Sequence, residues 1–160
     1  MHPCHHAART PDKPAWIMAS TGETVTYGQL EERSNRAAQL FRSRGLAAGD
    51  HIAIFLENHP RFFEICWAAQ RSGLIYTAIS SRLTAAEVDY IVGDCGAKLF
   101  VTSHGLAATA RELAPLMAGA RHRFMLDGIE PGYESWEAAI EAQPARRIAD
   151  ETGGHDMLYS

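Results

Sequence analysis

The alternation of short apolar runs with helical patterns between residues 51 and 126 most constrains the fold of this chain. Apolar runs occur at 51–56, 74–79, 98–102 and 121–126, and segments of helical periodicity separate them. The run from Ile52 to Leu56 is apolar on both faces, as is typical of a parallel strand buried between two helical layers. Such units pack as right-handed crossovers onto a parallel sheet. The sequence therefore predicts an α/β fold with a layered, mostly parallel sheet flanked by helices.

Local signals predict where individual elements begin and end. Thr26-x-x-Gln29 and Thr84-x-x-Glu87 are capping boxes that start helices ending near Gly45 and Gly93. Before the first of these helices, two short strand patterns flank a turn at 20–22 and predict an N-terminal hairpin. Further helices are predicted at 60–72, 104–117 and 135–142.

The chain is long enough for one ordinary domain of 160 residues. Within it we expect a polar lead-in at 1–13, a loose connection at 128–154 and a short final strand at 156–160. The last run resembles a strand that enters a further segment, so we expect residues 1–160 to be an incomplete portion of a larger domain.

Composition excludes several function classes. Fifteen basic and nineteen acidic residues give a net charge of −4, which does not favour nucleic acid as a partner. No apolar run approaches the roughly 20 residues that span a bilayer, and the N-terminus lacks an apolar signal region. Three scattered cysteines favour free thiols over a disulfide framework. We expect a cytoplasmic protein without a transmembrane segment, and peripheral membrane contact stays open.

Any ligand site in such a sheet should lie beyond the carboxyl ends of the strands. Those ends carry Glu57–Pro60, Ser80–Arg82, Thr102–His104 and Asp127–Gly128. None of them is a glycine-rich nucleotide fingerprint, which argues against an ordinary dinucleotide-binding domain. Because no Ser/His/Asp set or carboxylate pair can be assembled, the sequence assigns no catalytic residue.

The N-terminal cluster of His2, Cys4, His5 and His6 has the donor types of a zinc site, but its spacing matches no closed four-ligand site. We interpret it as a mobile, solvated terminus and assign no metal ligand. Cys66 lies among aromatic and aliphatic residues in a helical pattern, which favours a buried, unreactive thiol.

Of three other residues, two leave alternatives open. Cys95 also falls in a helical pattern. His104 follows a strand end and either lines a polar site or faces water in the first turn of a helix, and we favour the second reading. Arg82 lies between a strand and a helix cap and either contacts a phosphate or carboxylate or forms a surface ion pair, which we favour.

An ordered series of phrases carries more information than any single residue. Thr10–Ala15, Val25–Leu30, Gly45–Asp50, Arg82–Glu87, Asp94–Val101 and Asp156–Ser160 occur in this order along nearly the whole chain. This series resembles the AMP-dependent synthetase and ligase (adenylate-forming) superfamily. Within it, the Arg82-Leu83-Thr84 phrase and the Tyr159-Ser160 ending are similar to acyl-CoA synthetases of the fatty-acid type.

The resemblance implies a two-step reaction in the parent enzyme. A carboxylic acid attacks ATP to form an acyl-adenylate and pyrophosphate, with Mg²⁺ screening the phosphates, and the thiol of CoA then displaces AMP. It further implies that residues 1–160 form the N-terminal part of the large domain and end at the phosphate loop. Only Ser160 corresponds to a position that touches nucleotide, so the site residues are Ser160 for the cofactor and none for catalysis or metal.

Two consequences and two alternatives accompany this interpretation. The chain alone is expected to be inactive, and to self-associate through an apolar face that a partner layer would cover. The parent enzyme would activate a fatty acid, or instead an aryl, bile-type or amino acid. Alternatively, the chain is a non-catalytic scaffold or binding module that reuses the fold.

Overall fold

A five-stranded parallel sheet with helices on both faces forms the centre of the computed structural model, which describes residues 3–153. The helices are α1 (Pro3–Arg9), α2 (Tyr27–Ser43), α3 (Phe62–Arg71), α4 (Ala85–Asp94), α5 (Ala107–Leu113) and α6 (Trp136–Glu141). The strands are β1 (Pro14–Ile17), β2 (Thr24–Thr26), β3 (His51–Leu56), β4 (Ile75–Ser80), β5 (Leu99–Ser103), β6 (His122–Leu126) and β7 (Glu134–Ser135).

The strand order of the sheet is β4-β3-β5-β6-β7, and every neighbouring pair is parallel. Ile54 in the middle of β3 is opposite Ala78 on one side and Val101 on the other. β1 and β2 form a separate antiparallel hairpin. The α/β class, the parallel sheet and the N-terminal hairpin predicted from the sequence are therefore confirmed.

Successive residues of the strands point into two different cores because side chains alternate across a sheet. Ile52 and Ile54 pack with residues of α2, α3 and α6 on one face. Ala53 and Phe55 pack with residues of α4 and α5 on the other. Both faces of β3 are therefore buried, which explains its uninterrupted apolar sequence.

The two predicted capping boxes start α2 and α4. The Thr26 hydroxyl accepts from the Gln29 amide at 3.3 Å, and the Gln29 side chain accepts from the Thr26 amide at 3.0 Å. The Glu87 carboxylate accepts from the Thr84 amide at 2.8 Å. These bonds satisfy backbone N–H groups that have no partner within the first helical turn.

The N-terminal segment differs from its prediction. Within the predicted polar lead-in, residues Pro3–Arg9 form helix α1, with proline in the first turn, where its missing N–H is not needed. The imidazole of His6 stacks on the Tyr27 ring at 4.7 Å between centroids, which attaches α1 to α2.

The C-terminal half also departs from the sequence pattern. The helix predicted over 104–117 begins as a 3₁₀ turn at His104–Leu106, and α5 ends at Leu113. Pro115 contributes to this end, because proline has no N–H to donate to the carbonyl four residues before it. The stretch from 128 contains β7 as well as α6. The strand predicted at 156–160 lies outside the described residues.

Candidate functional site

The sheet reverses its direction of growth between β3 and β5. From β3 the chain crosses through α3 to β4 on one side, and from β5 it crosses to β6 on the other. In open parallel sheets the crevice beyond the carboxyl ends of two such strands is the usual ligand site. The residues that follow β3 and β5 are therefore the first candidates for function.

The carboxylate of Glu57 lies at this crevice. Glu57 follows β3, and the hydroxyl of Ser103 at the end of β5 donates to it at 2.6 Å. Gly105 approaches the same carboxylate so closely that a Cβ at this position would lie 2.7 Å from Glu57 Oε1. Since a phosphate needs hydrogen-bond donors and positive charge, a crevice holding a carboxylate does not fit the phosphates of ATP.

A histidine–aspartate pair lies at the same edge of the sheet. His59 Nε2 is 2.8 Å from Asp127 Oδ2, and the amide of Arg61 donates to His59 Nδ1 at 3.1 Å. Because Nδ1 accepts a hydrogen bond, we assign the proton of the neutral ring to Nε2. The Nε2–H group then donates a hydrogen bond to Asp127. Asp127 has a φ of +58°, a left-handed conformation that aspartate tolerates better than most residues.

Further ion pairs lie between the His59–Asp127 pair and the protein interior. Arg61 contacts Glu64 at 3.2 Å and Glu137 at 3.7 Å, and the indole N–H of Trp136 donates to Glu64 at 2.8 Å. Burial raises the pKa of Glu64, against the opposing effects of Arg61 and Trp136. This group connects α3 to α6 and lies behind the carboxyl edge.

A cavity of about 390 Å³ opens beside Glu57. Most of its lining is apolar, and its polar residues are Glu57, Asn58 and His59 at one end. The lining residues are Trp16, Ile17, Met18, Leu56, Glu57, Asn58, His59, Phe62 and Phe63. The sequence placed Glu57–Pro60 at this edge but could not predict that the β1–β2 hairpin would form the opposite wall.

His104 and Arg82, for which the sequence left two interpretations open, lie on the surface. The side chain of His104 is 52% exposed and lies 3.8 Å from Glu130, which confirms the reading of a water-facing residue in a helical turn. The surface ion pair expected for Arg82 does not form within residues 3–153. Arg82 is exposed, and its backbone amide donates to the Ser80 hydroxyl at 3.4 Å.

The cysteines carry no reactive signature. Cys66 is buried, which confirms the predicted burial, and burial raises the pKa of its thiol to about 12. Cys95 is half-buried and lies 3.6 Å from the carbonyl oxygen of Val92.

The described N-terminal donors, Cys4 to His6, do not converge on a metal centre. His5 and Cys4 lie on α1, and in the described part of the chain no three His, Cys, Asp or Glu side chains are placed to hold a metal ion. His2 and the predicted nucleotide contact Ser160 lie outside the described residues. Between residues 3 and 153 no helix is long and apolar enough to span a bilayer.

Comparison with known proteins gives a family match for this chain. A protein-family model described as "AMP-binding enzyme" matches residues 4–159. The chain is 37% identical over 94 residues to fatty acid–(acyl-carrier-protein) ligase ScoC of Streptomyces coeruleorubidus, covering 59% of this chain and 18% of that protein. It is 28% identical over 156 residues to long-chain-fatty-acid–CoA ligase FadD13 of Mycobacterium tuberculosis, covering 96% of this chain and 30% of that protein.

A solved structure agrees with the sequence matches. The inhibitor-bound N-terminal domain of FACL13 from Mycobacterium tuberculosis superposes with a TM-score of 0.82 at 26% identity, covering 98% of this chain and 38% of that one. The chain thus spans less than a third of the length of each of the two curated relatives.

Proposed function

Because this chain belongs to the AMP-binding enzyme family, we propose that it forms the N-terminal part of an AMP-forming acyl-CoA synthetase that activates a fatty acid. The family match over residues 4–159 carries this proposal. The fatty-acid class is supported by the similarity to ScoC and FadD13, whose names specify fatty acids. The Arg82-Leu83-Thr84 phrase supports the same class.

The proposed reaction has two steps. An oxygen of the acid's carboxylate bonds to the α-phosphorus of ATP, and the bond to the bridging oxygen breaks to release pyrophosphate. The sulfur of CoA then bonds to the acyl carbon, its proton is lost, and AMP leaves with the oxygen. Mg²⁺ would screen the phosphate charges in the first step.

The described residues do not fit ATP themselves, since the carboxylate of Glu57 lies at the crevice between β3 and β5. We therefore propose that residues 3–153 support a site formed by segments outside them, and that Ser160 is the one residue of this chain that contacts nucleotide. It follows that the 160-residue chain alone is inactive. We further propose that the protein is cytoplasmic.

Acid-dependent exchange of labelled pyrophosphate into ATP tests this function. We expect exchange by the full-length protein with at least one member of a panel of fatty, aryl, bile-type and amino acids, and none by the 160-residue chain. Exchange by the chain above a no-enzyme control would contradict a site outside it. Full-length protein that exchanges only with aryl, bile-type or amino acids would overturn the fatty-acid assignment, and failure with every acid would support the scaffold alternative.

We also propose that the chain self-associates through the apolar face around the 390 Å³ cavity. On this face Ile17 is 61% and Phe63 48% exposed. Sedimentation velocity should show concentration-dependent association that Phe63→Ser weakens. Tyr90→Ser, which alters an exposed residue of α4, is the matched control, and an equal effect of both variants would contradict the assignment to this face.

A further inference from the structure

The cavity beside Glu57 combines one charged end with apolar walls. Its volume of about 390 Å³ lies in the range of about 300–1,000 Å³ that is usual for small-molecule sites. The walls come from the N-terminal hairpin, the end of β3 and the start of α3. Their residues are Trp16, Ile17, Met18, Leu56, Phe62 and Phe63. Aromatic and aliphatic surfaces of this kind accommodate the apolar part of a ligand.

The carboxylate at the charged end has no cationic partner in the described part of the chain. Glu57 is half-buried and accepts a hydrogen bond from the Ser103 hydroxyl at 2.6 Å. The next two cationic side chains along the sequence bind other carboxylates. His59 contacts Asp127 at 2.8 Å, and Arg61 contacts two glutamates of α3 and α6. Since a carboxylate accepts about four hydrogen bonds, Glu57 has both charge and capacity left for a ligand.

Asn58 offers a second acceptor at the same end of the cavity. Its side chain is exposed and makes no hydrogen bond to another described residue. Its amide oxygen is therefore free to accept from a ligand. A primary ammonium carries three N–H donors and no acceptor, so it matches one negative charge beside two acceptors.

We propose that this cavity binds a primary ammonium ion attached to an apolar group, as in an arylalkylamine. The ammonium donates to the Glu57 carboxylate and to the Asn58 amide oxygen, and the apolar group lies against the aromatic walls. Hydrogen bonds between two ionised groups are roughly twice as strong as neutral ones. Because Glu57 is half-buried, salt screens this contact less than it screens an exposed pair.

The same features disfavour the ligands of the proposed reaction at this position. A carboxylic acid or a phosphate would bring a second negative charge next to Glu57. A metal ion is disfavoured as well, because no three His, Cys, Asp or Glu side chains of the described residues are placed to hold one. The ammonium site is therefore separate from the proposed ATP and acid sites outside residues 3–153, and its occupancy does not depend on the proposed function.

The test uses three ligands of similar size that differ in charge. Phenethylammonium is the probe, phenethyl alcohol is its neutral counterpart, and hydrocinnamate is its anionic counterpart. NMR titration of the 160-residue chain at pH 7 measures each Kd, and the shifted backbone and indole N–H signals locate the site. The protein concentration is one at which sedimentation velocity shows a monomer.

Two substitutions separate the contributions of charge and apolar contact. Glu57→Gln removes the charge but retains an acceptor for the Ser103 hydroxyl, and Phe63→Ala removes part of an aromatic wall. Glu112→Gln, which removes an exposed charge of α5, is the control for the first. Leu116→Ala is the control for the second, because Leu116 is 47% exposed, against 48% for Phe63, and does not line the cavity.

Recognition of an ammonium predicts a preference for the cation. Phenethylammonium should bind with a Kd of about 1 mM or lower and about tenfold or more tightly than the alcohol, and hydrocinnamate should not bind. Glu57→Gln should reduce the preference to about twofold or less and leave the affinity for the alcohol unchanged, which also shows an intact cavity. Phe63→Ala should weaken both ligands about threefold or more. Both controls should behave as the wild type.

Three results would overturn the inference. The first is the absence of saturable binding of phenethylammonium, and the second is a set of shifted signals that lies away from the cavity walls. The third is a preference for the cation that persists in Glu57→Gln or is equally lost in Glu112→Gln, because Glu57 would then not recognise the charge. None of these measurements uses pyrophosphate exchange, so the proposed function can fail without affecting the result.

Discussion

Replacing Gly73 with alanine tests the contact between Thr152 and the end of α3. Gly73 has a φ of +65°, and an added Cβ would lie 2.8 Å from the Thr152 methyl group and 3.0 Å from the Ala48 Cβ. Gly45 offers a matched control. It follows α2 in the same way, has a φ of +78°, and an added Cβ there would meet no atom within 4 Å.

The two substitutions share one cost and differ in another. A left-handed conformation costs an alanine about 1–2 kcal/mol, and this applies to both glycines. The gain from a less flexible unfolded chain also applies to both and cancels in the comparison. Only Gly73→Ala adds overpacking, which typically costs about 1–3 kcal/mol. We therefore expect Gly73→Ala to lower the free energy of unfolding by about 1–3 kcal/mol more than Gly45→Ala does.

Urea denaturation of both variants and the wild type measures this difference, provided that the m-value is unchanged. Adding Thr152→Ser to Gly73→Ala removes the methyl group in the closest contact and should restore part of the loss. A difference below about 0.5 kcal/mol between the two glycine variants would refute the close packing of Thr152 against the end of α3.

Three further predictions concern titratable groups. Burial opposes ionisation of Glu31, but its bonds and charge interactions with Arg71 and Arg147 hold its pKa below the ordinary 4.5. Glu31→Gln should therefore destabilise the fold at pH 7, and urea denaturation at pH 3.5 should show a smaller difference, because the stabilisation is lost as pH falls through the lowered pKa. Cys66 should react with a thiol reagent only on unfolding, whereas reaction at the rate of Cys95 in the native state would contradict its burial. Burial raises the pKa of Tyr133 to about 12, and its hydroxyl donates to a backbone carbonyl at 2.8 Å. Tyr133→Phe should lower the free energy of unfolding by about 1 kcal/mol in urea denaturation. An unchanged free energy of unfolding would show that this bond makes no net contribution to stability.

The parts of the fold predicted from the sequence depend on local interactions. The capping boxes at Thr26 and Thr84 join residues three positions apart, so the sequence alone identifies the starts of α2 and α4. β3 could also be predicted from the sequence alone, because a strand buried on both faces has an uninterrupted apolar sequence.

The features that the sequence did not predict depend on distant contacts. The bond from Arg36 to Gln143 joins residues 107 positions apart, and nothing near either residue indicates it. Helix α1 is likewise attached to α2 by the stacking of His6 on Tyr27. Patterns of polar residues look like loops in both places, although tertiary contacts order them.

The candidate site could be predicted from the sequence only in part. The sequence identified the four segments at the carboxyl edge, because each follows an apolar strand run. It could not pair Glu57 with Ser103 or His59 with Asp127, since those pairs require the strand order β3-β5-β6.

The carboxylate of Glu57 at the crevice between β3 and β5 is the physical reason for proposing a nucleotide site outside residues 3–153. A family named for AMP binding would be expected to use the usual ligand crevice of a parallel sheet. Here the carboxylate of Glu57 lies in it and accepts a hydrogen bond from the Ser103 hydroxyl at 2.6 Å. A nucleotide phosphate placed there would meet a negative charge in a partly buried setting, where repulsion is stronger than in water. Binding elsewhere is therefore favoured, in line with the proposal that residues 3–153 support a site formed by segments outside them.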